Sequence, residues 1–257
     1  MKGNWMQRML VLLLTGLAVS ACGVESLVTG AVEDDVQVKV NGSGRPVEES
    51  RPVSGFTAIS LYTEGQVTIV QGDAETLTIE TDDNLVEYIE TTVSDGVLDI
   101  RLREGADVDL EPTNGIRFEI TTGALDALDL YGAGALIVGD LATDRLSLKV
   151  SGAGVIRIRN LAASELDVML AGAGSVVVAG EVGREQLTLA GVGDIDVSNT
   201  SANQVTVALS GMGDVAVWAI DRLDATIAGI GDVDYYGSPS VTERIPGSGK
   251  VNHMGDK

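Results

Sequence analysis

The side chains best supplied for chemistry in this 257-residue chain are carboxylates: 38 Asp and Glu stand against 17 Lys and Arg, one His and one Cys. Five of them keep a fixed relation to a glycine motif. Asp194 and Asp196 follow Gly191-Val192-Gly193, Asp214 follows Gly211-Met212-Gly213, and Asp232 and Asp234 follow Gly229-Ile230-Gly231. Oxygen-only ligands in a row suit a hard cation such as Ca2+, which would also relieve the repulsion of like charges on neighbouring strands. The nonapeptide period of glycine-rich Ca2+-binding rolls is absent, however, and a solvated acidic face that maintains solubility accounts for the same residues. Catalysis lacks its parts. His253 is the single histidine and lies in the final segment, which is expected to be loose, so a Ser-His-Asp triad and a His-based metal centre lack their parts and no catalytic residue is assigned. Asp82-Asp83-Asn84 offers adjacent carboxylates, but reads as a helix N-cap or a turn. A net charge of −21 excludes a nucleic-acid surface, which needs a basic face.

The lone cysteine carries a different chemistry. Lys2 and Arg8 precede an apolar run from Met9 to Val19, too short to span a bilayer and suited to a signal-peptide core. It ends in Val19-Ser20-Ala21-Cys22-Gly23, which resembles a bacterial lipobox. The resemblance implies that 1–21 is a lipoprotein signal peptide and that Cys22 is the lipid attachment site, with 22–50 as a tether. Two acyl signals would hold such a protein firmly at a membrane. The expected location is therefore extracytoplasmic and membrane-anchored, at the outer membrane or cell surface. With one cysteine there is no internal disulfide, and stability must come from packing and hydrogen bonds.

The acids need a scaffold, and the scaffold is written as a repeat. Gly-x-Gly triplets begin at Gly132, Gly152, Gly172, Gly191, Gly211, Gly229 and Gly247, at intervals of 20, 20, 19, 20, 18 and 18 residues. Apolar slots recur around them, as Leu136/Val138, Ile156/Ile158, Val176/Val178, Ile195/Val197, Val215/Val217 and Val233/Tyr235, with Leu141, Leu161 and Ile220 at a further corner. A propeller blade would need about 40 residues, whereas rungs of this length fit an all-β parallel β-solenoid stacked at about 4.8 Å, right-handed by the rule for parallel crossovers. Glycine at the corners would supply positive φ. Glu185 occupies an inward slot of the 19-residue rung, so a bulge is expected there. Residues 51–130 alternate in short bursts with turns at Gln71-Gly72-Asp73, Ser94-Asp95-Gly96 and Glu104-Gly105, and one helical turn at 84–89; the folded part is expected to open near Val53, and 131–257 is the repeat proper.

The stretches Gly55-Phe56 through Ile59, Leu77-Thr78-Ile79-Glu80-Thr81-Asp82-Asp83-Asn84-Leu85 and Asp95-Gly96-Val97-Leu98-Asp99-Ile100, followed by Gly-x-Gly coils, resemble a bacterial family known as "putative auto-transporter adhesin, head GIN domain". The resemblance covers about 53–250 and implies the fold and an envelope location; it transfers no functional residues. The expected function is a non-enzymatic adhesion, binding or scaffold module. Its membrane partner is reached through the lipid, and a protein or glycan through a flat face formed by the columns Lys149, Met169, Thr188, Ala208, Thr226 and Ser147, Asp167, Gln186, Thr206, Asp224. The alternatives are a carbohydrate-active β-helix enzyme and a Ca2+-stabilised structural module.

Overall fold

The computed structural model describes residues 38–257. Cys22, the expected signal peptide over 1–21 and the tether as far as residue 37 lie outside the described residues.

The N-terminal part runs through β1 (Val38–Asn41), β2 (Pro46–Arg51), β3 (Ala58–Leu61), β4 (Gly65–Gln71), β5 (Thr76–Asp82), a 3-10 turn at Val86–Tyr88, β6 (Ile89–Ser94), β7 (Val97–Leu102), β8 (Val108–Glu111), β9 (Arg117–Thr122) and β10 (Ala127–Leu130). Ordered strand thus begins before Val53. The polar run of β2 shows only Val47 to the core, and its order comes from antiparallel pairing with β5, from Pro46 opposite Asp82 to Arg51 opposite Leu77. Pro46 takes the first strand position, where a ladder N–H is dispensable. Asp95 (φ 51°) and Gly96 (φ 80°) close the β6–β7 hairpin in the two-residue turn that demands positive φ at both centres.

The repeat follows as β11 (Ala133–Val150), β12 (Ala153–Leu170), β13 (Ala173–Leu189), β14 (Val192–Leu209) and β15 (Val215–Ile227), then the shorter β16 (Val233–Tyr236), β17 (Ser240–Arg244) and β18 (Val251–Gly255). Each long strand is one rung, pairing in parallel and in register with the next, so Ala133 meets Ala153 and Val150 meets Leu170. The result is a β-solenoid of about six turns. The slot two residues past each triplet forms a wholly buried ladder: Leu136, Ile156, Val176, Ile195, Val215 and Val233 are all 0% exposed. Each such side chain contributes roughly 1.5–3 kcal/mol by leaving water.

The rung geometry reaches back beyond the triplets. β10 stacks in parallel on β3, and β3 on β7, while Gly65 of β4 pairs with Gly134. Thr63-Glu64-Gly65 holds the triplet's place without its first glycine. Antiparallel β5, wedged between β2 and β9, interrupts this order and gives the N-terminal part its irregularity.

Three expectations need correction. The first glycine of each triplet is required by close approach rather than by positive φ. A Cβ on Gly152, Gly172, Gly191, Gly211 or Gly229 would lie 2.0 Å from the carbonyl oxygen of the glycine one rung below. Positive φ enters only at the second glycine, as at Gly154 (149°) and Gly193 (135°). The missing residue of the 19-residue rung is absorbed at the corner, between Val178 and Gly180, and not at Glu185, which stays in register between Leu166 and Val205. A corner absorbs a deletion cheaply because its slots are already irregular. The same shortening near Ala219 turns Ile220 outward and puts Ala219 in the core, in register with Ala202.

Candidate functional site

An open groove of about 750 Å3 lies where the N-terminal part meets the first rungs. Its walls come from the end of β4 and the following turn (Gln71, Gly72, Asp73), from Gly123, and from one corner of β11 and β12 (Asp140, Ala142, Asn160). Gln71 fixes the floor: its Nε2 donates to the carbonyls of Gly123 (3.1 Å) and Ala142 (3.0 Å), and its Oε1 accepts the Ala142 N–H (2.9 Å). Asp140 is exposed and holds Arg159 only loosely, at 3.7 Å. The groove therefore presents carboxylate and amide groups on a rigid floor, an arrangement that accepts and donates to hydroxyls. Sequence reasoning missed it, because its three stretches lie tens of residues apart and none has a motif. Their one signal was the turn chemistry at Gln71-Gly72-Asp73.

The acids singled out by the repeat do stack. Asp194, Asp214 and Asp232 form a staircase in which each Oδ1 accepts the backbone N–H one rung on, from Asp214 (3.0 Å), Asp232 (2.7 Å) and Lys250 (2.8 Å) respectively. The carboxylates thus join rung to rung, and these amide contacts offset the like-charge repulsion. Asp196 accepts the Ser198 N–H at 3.0 Å, and Asp234 accepts Asn252 Nδ2 at 2.9 Å. Among the described residues no three His, Cys, Asp or Glu side chains converge as a metal-holding group. Asp82, Asp83 and Asn84 are a loop clasp. Asp82 is buried and accepts the N–H groups of Gly44 (2.7 Å) and Thr113 (2.8 Å), Asp83 pairs with Arg45, and Asn84 binds the Ser43 N–H and the Asn41 carbonyl. The Thr113 N–H, more than any other contact, holds the Asp82 carboxyl below its usual range. The turn reading stands; the 3-10 turn is capped by Leu85, without a side-chain bond.

Aromatic residues that the sequence scatters are brought together. Tyr62 and Tyr131 stack at 4.7 Å and 8°, with the Arg101 guanidinium over one outer face (5.1 Å) and the Lys149 ammonium over the other (5.3 Å). Both ring faces are occupied, so the stack is closed to a sugar ring. Beside it, burial pushes the Asp129 carboxyl up, against the pull of Lys149. His253, on β18, stacks on Tyr235 at 4.9 Å. Glu185 is fully buried, neither carboxylate oxygen has a hydrogen-bond partner, and burial pushes its carboxyl well above the usual range.

The fold is thus of the parallel β-solenoid class, built on glycine columns behind an irregular β start, with an open groove at their junction. The chain belongs to the family described as "Putative auto-transporter adhesin, head GIN domain", which matches residues 55–239. Among solved structures it is similar to a putative adhesin from Bacteroides fragilis, at 27% identity and a TM-score of 0.80 over 84% of this chain and 100% of that one. It is also similar to a putative lipid binding protein from Parabacteroides distasonis, at 25% identity and a TM-score of 0.66 over 84% of this chain and 99% of that one. A putative adhesin from Parabacteroides merdae shares the fold, at 22% identity and a TM-score of 0.60, over 84% and 99%. No curated protein matches the chain. Membership of an adhesin-like family points to the cell surface or envelope. Among the described residues no helix is long and apolar enough to cross a membrane.

Proposed function

We propose that this protein is a non-enzymatic binding module of the cell envelope, tethered through a lipid on Cys22, whose junction groove holds a polyhydroxylated ligand such as a glycan segment. The observation that carries the reading is the groove itself. Asp73, Asp140 and Asn160 surround a floor pinned by Gln71 in an open groove of about 750 Å3. Carboxylates and amides facing an open, wet cleft bind hydroxyls through hydrogen bonds, and such sites hold ligands weakly unless several act together. The adhesin description of the family and of the Bacteroides fragilis relative supports a surface role.

A glycan array probed with the full chain tests this. Binding is expected without release of reducing sugar, and Asp140→Ala with Asn160→Ala should weaken it about tenfold, the usual worth of one or two hydrogen bonds. Release of reducing ends would instead establish a carbohydrate-active enzyme; absence of glycan binding would remove the groove reading. Lipidation is tested separately: Cys22→Ser should move the protein out of the detergent phase, and its persistence there would refute the anchor.

A further inference from the structure

The middle residue of each Gly-x-Gly triplet projects outward between two glycines, and all seven stack in register: Ala133, Ala153, Ala173, Val192, Met212, Ile230 and Ser248. The column has a step in it. Its first three members form a shelf of methyl groups. Its next three members form an apolar ridge, with Val192 and Met212 each 51% exposed and Ile230 60%, and Ser248 closes the column. Flanking glycines leave the ridge standing clear of bare backbone. Three large apolar side chains in water over consecutive rungs mark a surface that is covered by something.

The neighbouring columns step at the same rung. Two residues on, the order is Ala135, Val155, Ser175 and then Asp194, Asp214, Asp232 and Lys250, so charge begins at the rung where the ridge begins. Two further on, Arg157 lies in the shelf half while Asp196 and Asp234 lie in the ridge half. A membrane surface fits poorly, because the acids stand beside the ridge on a chain of net charge −21.

We propose that the ridge is covered by a second copy of this chain, in an antiparallel dimer whose twofold axis crosses the column between Ala173 and Val192. That rotation lays Val192 on Ala173 of the second copy, Met212 on Ala153 and Ile230 on Ala133, large against small at every rung. It also sets the aspartates against Ser175, Val155 and Ala135, avoiding any opposition of like charge, and brings Arg157 within one rung of Asp196 and Asp234. A parallel pairing would do the reverse, setting ridge against ridge and leaving a void between the shelves. Isologous contacts of this kind are self-complementary by construction. Six rungs at about 4.8 Å give a contact strip roughly 29 Å long, which places the dimer among small, concentration-dependent interfaces.

Disulfide trapping in the membranes of cells expressing the full chain tests the arrangement, with the wild type, which carries only Cys22, as the baseline. Ala153→Cys combined with Met212→Cys should give at least ten times more covalent dimer than Met212→Cys alone, because two copies of position 212 lie three rungs apart, about 14 Å along the strip. Adding Ile230→Asp to the double-cysteine chain should reduce that dimer at least tenfold. The reduced variants should keep the wild-type melting temperature, because all three positions are exposed, and a lowered one would mark the column as structural and overturn the proposal. Equal trapping by Met212→Cys alone overturns the antiparallel register. Absence of trapping, or indifference to Ile230→Asp, overturns the dimer. Loss of vesicle binding by a monomeric Met212→Asp chain would assign the ridge to lipid instead.

Discussion

The two parts of the molecule stay folded by different means, although both are β-structure around one continuous core. In residues 38–130 the strands run both ways, the core holds Phe56 and Phe118, and side chains secure the loops: Asp82 and Asn84 clasp 41–45 and 113, and Gln71 bridges 123 and 142. From 131 on the core is aliphatic, the backbone pairs with itself at every rung, and the decisive residues are those with no side chain at all. In the first part specificity lies in polar groups that find one partner each. In the second it lies in the absence of atoms along a column, so that any addition is felt by two rungs at once.

That contrast can be broken at either end. The largest effect is expected from Gly172→Ala, whose Cβ would sit 2.0 Å from the Gly152 carbonyl oxygen and 2.5 Å from that of Ser151. No flexible side chain can give way there, so urea unfolding should show a loss of roughly 4 kcal/mol or more. An unchanged midpoint would mean that the rungs can part. Asp82→Ala should act locally, freeing the N–H groups of Gly44 and Thr113 that it now accepts. Hydrogen exchange at those two amides should accelerate at least about tenfold, while the repeat stays protected.

Glu185→Leu should work in the opposite direction, completing the Leu166–Val205 ladder and removing an unsatisfied buried carboxyl. Stability at neutral pH is expected to rise by about 1–3 kcal/mol. The linkage has a defined sign. The folded carboxyl is held above its usual 4.5, so the folded state keeps a proton that the unfolded chain releases. Its contribution is full below pH about 4.5 and declines as pH rises through the unfolded value towards the folded one. The difference in stability between wild type and Glu185→Leu should therefore widen with pH above that point, and a flat difference would mean that Glu185 is ionised in the fold.

Gly96→Ala provides the counterpart to Gly172: nothing lies within 4 Å of its Cβ position, and only its φ of 80° resists a side chain. A loss of about 1 kcal/mol is expected from the left-handed backbone alone. The smallest change is expected from Asp214→Asn, which keeps the oxygen that accepts the Asp232 N–H and removes one charge from the staircase. Its effect should stay within about 0.5 kcal/mol. Millimolar Ca2+ should leave the melting temperature of both chains unchanged, because the staircase carboxylates are already engaged by amides; a Ca2+-dependent rise in the wild type alone would restore the cation reading.

The repeat was legible because periodicity survives in one dimension: a glycine every rung and an apolar slot at a fixed distance name both the fold and its core. What lay across the rungs was not. β2 falls almost wholly within the expected tether over 22–50, since an edge strand with one inward valine carries almost no hydrophobic signal until β5 is beside it. Glu185 was recognised as out of place, but the accommodation occurred at the corner, where sequence has no fixed spacing to violate. The aspartates were seen as a column; their acceptance of the next rung's amides depends on a lateral offset that no residue type encodes. The groove and the Tyr62–Tyr131 stack are products of assembly, joining residues that only the stacking of β4, β10 and β11 makes neighbours.

The direction of the backbone hydrogen bonds has a mechanical consequence. They run along the solenoid, from each rung to the next, so tension applied between the chain's two ends loads them one rung after another rather than all together. Such a structure yields by peeling from an end, and each rung of 18–20 residues that comes away adds on the order of 60 Å of slack. A protein built this way lengthens under load one rung at a time while the remaining rungs stay intact.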